Sequence, residues 1–113
     1  MSLVAIVARD LIIATRIAEA AAAAGHEVVR VDSPDELPSA ADVSVAFVSW
    51  DERRPEWGAA LASWATGAGG DSPRLVVFGP HTDLAAHAEA RSAGIGPVMA
   101  RSRLVASLAD LLR

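Results

Sequence analysis

The 113-residue chain contains no cysteine, lysine, tyrosine, asparagine or glutamine. Without cysteine it has no thiol nucleophile, disulfide, thiolate zinc site or iron–sulfur cluster of its own. Without lysine it has no Schiff-base site, no P-loop lysine and no lysine general base. Aromatics are scarce: three tryptophans and two phenylalanines. Long apolar runs are missing too. Leu3 to Ala8 is short and is broken by Arg9-Asp10, with no leading basic region, so no secretory signal is expected. Leu11 to Ala24 contains Arg16 and Glu19, which makes it too short and too charged to span a membrane. A cytoplasmic location, away from any membrane, is the expectation.

What is present suits one domain over residues 1–113. Alanine fills 25 positions, and a hydrophobic fraction of 52% is ample for a core without a covalent staple. The net charge is −4, so no nucleic-acid partner is expected, because phosphate binding relies on clustered arginine and lysine. All ten basic residues are arginine, and the alanine-rich, lysine-free composition matches a GC-rich bacterial genome. Arg53-Arg54 and Arg101-Ser102-Arg103 read as solvated surface charge.

Strand-like and helix-like stretches alternate. Leu3–Ala8, Glu27–Val31, Val43–Ser49, Arg74–Gly79 and Pro97–Ala100 read as five strands. Leu11–Ala24 is helical by spacing: Ile13, Ile17, Ala20 or Ala21, and Ala24 share one face. Asp10 sits where an N-cap belongs and Gly25 where the helix stops. Ser33-Pro34-Asp35-Glu36 has the form of a capping box, but Pro38 limits that helix to about one turn. A third helix is expected from near Pro55 to Thr66, followed by a glycine-rich connection, Gly67 to Ser72. A fourth runs from Thr82-Asp83 to Gly94, and a last one follows a Ser102 cap, with Leu104, Leu108, Leu111 and Leu112 as its stripe. Five βα units of this size imply an open α/β doubly wound parallel sheet.

Ligands of such sheets gather at the C-terminal edge of the strands. The candidate pocket residues there are Asp10, Ser49, Asp51, His81, Asp83 and Arg101. His81 could titrate near neutral pH, and with Asp83, Asp10 and Asp51 could surround a small ligand or metal. The plain alternative makes His81 an exposed loop residue and Asp83 a helix-start charge. His81 and His87 are six apart, the wrong spacing for two ligands on one helix face. No dinucleotide fingerprint is present, because Ala8-Arg9-Asp10-Leu11 lacks glycine. Trp57, Leu61 and Trp64 share one helix face, which either packs on the sheet or meets a partner. Trp50, just after the third strand, could cover the pocket.

The alternation, the run Ala24-Gly25-His26-Glu27-Val28, and Ala93-Gly94 followed by Pro97-Val98-Met99 together resemble the receiver domain of bacterial response regulators, over essentially the whole chain. The resemblance implies a flavodoxin-like, receiver-like (βα)5 sheet of five strands in order 2-1-3-4-5, and a role in two-component signal transduction. An active receiver needs an acidic pair after strand 1 for Mg²⁺, an aspartate acceptor ending strand 3, a hydroxyl ending strand 4 and a lysine after strand 5. Here those positions fall on Ala8 and Arg9, on Ser49 with Asp51 two residues later, on Gly79, and on Arg101.

The resemblance is therefore to a degenerate pseudo-receiver. It implies a non-catalytic regulatory module with no enzyme activity, no cofactor and no metal. Its partner would be a protein, a second copy of the chain included. The surface implied for that contact is the fourth helix, fifth strand and last helix, with Arg91, Arg101 and Arg103 as its charged members. The competing reading is a small enzyme or ligand-binding domain using Asp10, Asp51 and His81 at the strand edge. A third makes these residues the receiver-like part of a longer regulator.

Overall fold

A computed structural model describes residues 3–67, 73–80 and 82–112. His81 and positions 68–72 of the expected glycine-rich connection lie outside the described residues. Five strands, β1 (Leu3–Val7), β2 (Glu27–Val31), β3 (Val43–Ser49), β4 (Arg74–Gly79) and β5 (Val98–Ala100), form one sheet. All pairings are parallel and the order is β2-β1-β3-β4-β5, the flavodoxin-like arrangement. The four helices are α1 (Leu11–Ala23), α2 (Trp57–Thr66), α3 (Leu84–Ala93) and α4 (Arg101–Leu111).

Strand composition sets the layers. Val4 to Val7 of β1 are all fully buried, as a central parallel strand covered on both faces requires. On one face α1 contributes Ile13, Ile17 and Ala21, and α4 contributes Leu104, Leu108 and Leu112. These pack on Val4, Ile6, Phe47 and Phe78. On the other face Trp57 and Leu61 of α2 and Ala86 and Ala90 of α3 pack on Val7, Val48 and Val77. Trp57 and Leu61 are thus core residues; Trp64 is half-buried, its indole N–H donating to the Pro38 carbonyl at 2.8 Å.

Chain reversals follow local chemistry. Asp10 caps α1, its carboxylate accepting the Ile12 N–H at 3.0 Å. Gly25 and Gly94 follow α1 and α3 with φ of 88° and 78°, a conformation that costs glycine little. At both, two backbone bonds reach back into the last turn: Gly25 N to Ala22 O and His26 N to Ala21 O, then Gly94 N to Arg91 O and Ile95 N to Ala90 O.

The single helical turn expected before Pro38 is present, as the 3₁₀ turn Pro34–Glu36, and a second 3₁₀ turn, Ala40–Asp42, follows it. Several local expectations need correction. Ser33 makes no capping bond; Glu36 reaches back instead to the Asp32 N–H at 3.0 Å. α2 begins at Trp57 rather than Pro55, after a 3₁₀ turn over Trp50–Glu52. α3 begins at Leu84, with Asp83 as its cap, accepting the Ala86 N–H. α4 begins at Arg101, directly from β5, so Ser102 lies inside the helix and caps nothing.

Candidate functional site at the C-terminal strand edge

Three chain segments converge where the strands end. β1 runs into Asp10, β3 into the Trp50–Glu52 turn, and β5 into Arg101 with no intervening loop. Because α4 starts immediately, its first side chain can reach across the sheet edge. The Arg101 guanidinium donates to one Asp51 oxygen, from Nε at 3.0 Å and from a terminal nitrogen at 2.6 Å. Its other terminal nitrogen donates to Asp10 at 3.2 Å. β4 lies between β3 and β5, and it ends in Gly79. A Cβ there would come within 3.3 Å of the Asp51 carboxylate, so glycine leaves the acid its place.

Glu52 completes the arrangement. One of its oxygens accepts the Arg9 N–H at 2.8 Å and the other the Asp10 N–H at 3.3 Å, tying the loop after β1 to the turn after β3. The hydrogen bond from Arg101, supported by the Ile12 N–H, holds the Asp10 carboxyl below its ordinary pKa. Partial burial opposes the charge on Arg101, but its bonds to Asp10 and Asp51 outweigh that, and its pKa is raised. Side-chain exposures of 39%, 35% and 30% for Arg101, Asp10 and Asp51 make this a surface cluster, reachable by solvent.

Ser49, the last residue of β3, is fully buried, and among the described residues its hydroxyl has no hydrogen-bond partner. By strand alternation it shares the α1/α4 side of β3 with Val45 and Phe47. Trp50 turns to the opposite side. It is 2% exposed, and its indole N–H donates to the Ala86 carbonyl at 2.9 Å, so it joins the α2/α3 core and does not cover the pocket.

Asp83 stands apart from Asp10 and Asp51. Beyond capping α3 it meets Arg53 at 3.9 Å. Arg53 also pairs with Glu89, donates to the Trp50 carbonyl at 3.2 Å and lies 5.9 Å over the Trp50 ring. The structure therefore brings Asp10, Asp51 and Arg101 together and leaves Asp83 in a second cluster. Arg91 and Arg103 are exposed on α3 and α4, whereas Arg101 is ion-paired with Asp10 and Asp51. Glu52 and Arg53 were not anticipated as site residues. Only their nearness to Asp51 in sequence hinted at them.

Beside the cluster, a cavity of about 730 Å³ opens between the loops after β1, β2 and β3. Six carboxylates line it, Asp10 and Glu52 among them, against two arginines. Among the described residues no group of three or more histidine or acidic side chains is placed to hold a metal ion. No helix among them is long and apolar enough to cross a membrane. No protein family, curated protein or solved structure matches the chain.

Proposed function

We propose that the chain is a non-catalytic regulatory module, built like a response-regulator receiver and acting in the cytoplasm through contacts with a protein. The observation that carries this reading is the Arg101 bridge. One guanidinium holds both Asp10 and Asp51, the two carboxylates best placed to bind Mg²⁺ or accept a phosphoryl group. A transferring phosphoryl needs a free nucleophile and a bound cation, and here each acid already has a cationic partner from the chain itself. The strand order and the serine at the acceptor position support the same reading.

The test is exposure of the intact chain to acetyl phosphate with Mg²⁺, followed by intact-mass measurement. No adduct is expected; a stoichiometric gain of about 80 Da, the mass of one phosphoryl group, mapped to Asp51 or Asp10 overturns the reading. The 730 Å³ cavity favours the alternative of a small ligand-binding domain. A rise in melting temperature with Mg²⁺ or nucleotides, absent with NaCl at matched ionic strength, would favour that alternative.

A further inference from the structure

The cavity beside the Arg101 cluster, at about 730 Å³, has the size of a ligand site. Trp57 of α2 lines it, and this tryptophan differs from the other two in one respect. The indole N–H groups of Trp50 and Trp64 donate to the carbonyls of Ala86 and Pro38. That of Trp57 donates to no group among the described residues. Trp57 is only 3% exposed, and a buried indole ordinarily satisfies its N–H. Nor is this N–H sealed in the core, since the fully covered, unpartnered side-chain atoms among the described residues belong to His26, Ser49 and His87. It opens on the cavity that Trp57 lines, as a donor without an acceptor.

The chain itself occupies four of the six carboxylates around that N–H. Asp10 pairs with Arg101, and Asp32 with Arg30. Glu36 accepts the Asp32 N–H, and Glu52 accepts those of Arg9 and Asp10. Asp35, from the loop after β2, and Glu56, just before α2, are exposed, and among the described residues neither carboxylate has a hydrogen bond or ion pair. Arg9 and Arg54 form no ion pair among the described residues either. Two guanidinium groups do not offset six carboxylates, so the field in the cavity favours a cation. The acids are not grouped to hold a metal ion, which points to an organic cation whose hydrogen bonds reach separated acceptors.

We infer that this cavity receives a basic segment of the partner protein, an arginine or lysine side chain together with its own backbone carbonyl. The inference rests on the reading of the chain as a protein-contact module and names what the partner presents. The two unmet needs of the cavity differ in kind: Asp35 and Glu56 want a cation, and the Trp57 N–H wants an acceptor oxygen. A basic residue in a peptide supplies both at once, whereas a bare polyamine supplies only the first. An acidic partner would meet the same sign of charge and be repelled.

The test is calorimetric titration of the full chain at low ionic strength with the blocked peptide acetyl-Gly-Arg-Gly-Lys-Gly-amide. Binding with a Kd below about 1 mM is expected, weakening as salt is added. The same peptide with glutamate at both charged positions should not bind, and spermidine, a cation without an acceptor oxygen, should bind more weakly. Asp35→Asn with Glu56→Gln changes two exposed side chains that hold nothing in the fold, and should raise the peptide Kd by roughly tenfold or more. Trp57→Phe keeps a ring in the core and removes the N–H. It should raise the peptide Kd by roughly threefold to tenfold and leave the weaker spermidine binding unchanged. No binding of the basic peptide, equal binding of the acidic one, spermidine as tight as the peptide, or an unchanged Kd in the Asp35→Asn, Glu56→Gln chain overturns the inference. Failure of the peptide to bind leaves the acetyl phosphate result as it stands. An adduct on Asp51, which does not line the cavity, leaves the titration as it stands, so the two failures are distinguishable.

Discussion

The two faces of the sheet solve the same packing problem with opposite means. On the α1/α4 side the bulk is spread over many aliphatic side chains, Ile13, Ile17, Leu104, Leu108 and Leu112, meeting Phe47 and Phe78 of the strands. On the α2/α3 side the strands offer valines and alanines, and α3 buries only Ala86 and Ala90. There the bulk is concentrated in Trp50, Trp57 and Leu61. An alanine helix can approach the sheet closely, but it leaves volume that a few large residues must fill. The α1/α4 side should yield gradually to mutation, and the α2/α3 side abruptly.

The sharpest way to break that contrast is a pair of truncations. Trp57→Ala should cost about 3–5 kcal/mol, and Leu108→Ala, within the about 2–5 kcal/mol typical of such sites, should cost less. The aliphatic neighbours of Leu108 can relax into the space, whereas the short valines of the α2/α3 side cannot fill the larger space an indole leaves. Urea unfolding of both variants decides it, and an equal or larger loss for Leu108→Ala would contradict the contrast. A smaller effect comes from filling rather than emptying. Gly58→Ala would gain up to about 1 kcal/mol in helix propensity but drive a methyl into Ala93, an overpacking cost of about 1–3 kcal/mol. Net destabilisation is expected, and a more stable variant would show that α2 and α3 are free to separate.

The smallest effect belongs to the Arg101 cluster, which joins the sheet edge from outside either core. Asp10 has a depressed pKa in the folded chain, so its contribution is present above the unfolded carboxylate value of about 3.9. It is lost as the pH falls through the folded value. Arg101→Ala should therefore melt below the wild type at neutral pH, with the gap closing as the pH falls below about 4. A gap that persists in acid would mean that Arg101 stabilises by packing and not by its charge.

How much of this was legible in the sequence depended on distance along the chain. The strands, the Asp10 cap and the glycines after α1 and α3 rest on neighbours within a few residues, and pattern alone places them. The helix starts expected from the Ser102 cap and at Pro55 were each two residues out: α4 begins at Arg101, straight from β5, and α2 at Trp57, after the 3₁₀ turn over Trp50–Glu52. Arg101 reaches Asp51 and Asp10 across 50 and 91 residues, and Glu52 reaches Arg9 across 43. Those contacts depend on strand order and on β5 feeding α4 directly. Side-chain direction decided the rest: Trp50 and Asp51 are adjacent in sequence, yet one turns into the core and the other toward the edge.

The placement of the tryptophans also makes the molecule its own two-channel reporter. Trp50, Trp57 and Trp64 all pack on the α2/α3 side, and the chain has no tyrosine. Intrinsic fluorescence therefore reads one layer of the protein, while far-ultraviolet circular dichroism reads all four helices. Coincident unfolding curves from the two signals would mean that both layers come apart as one cooperative unit. A fluorescence transition that leads the dichroism would reveal a state in which the alanine-rich layer has opened and the aliphatic layer still holds the sheet.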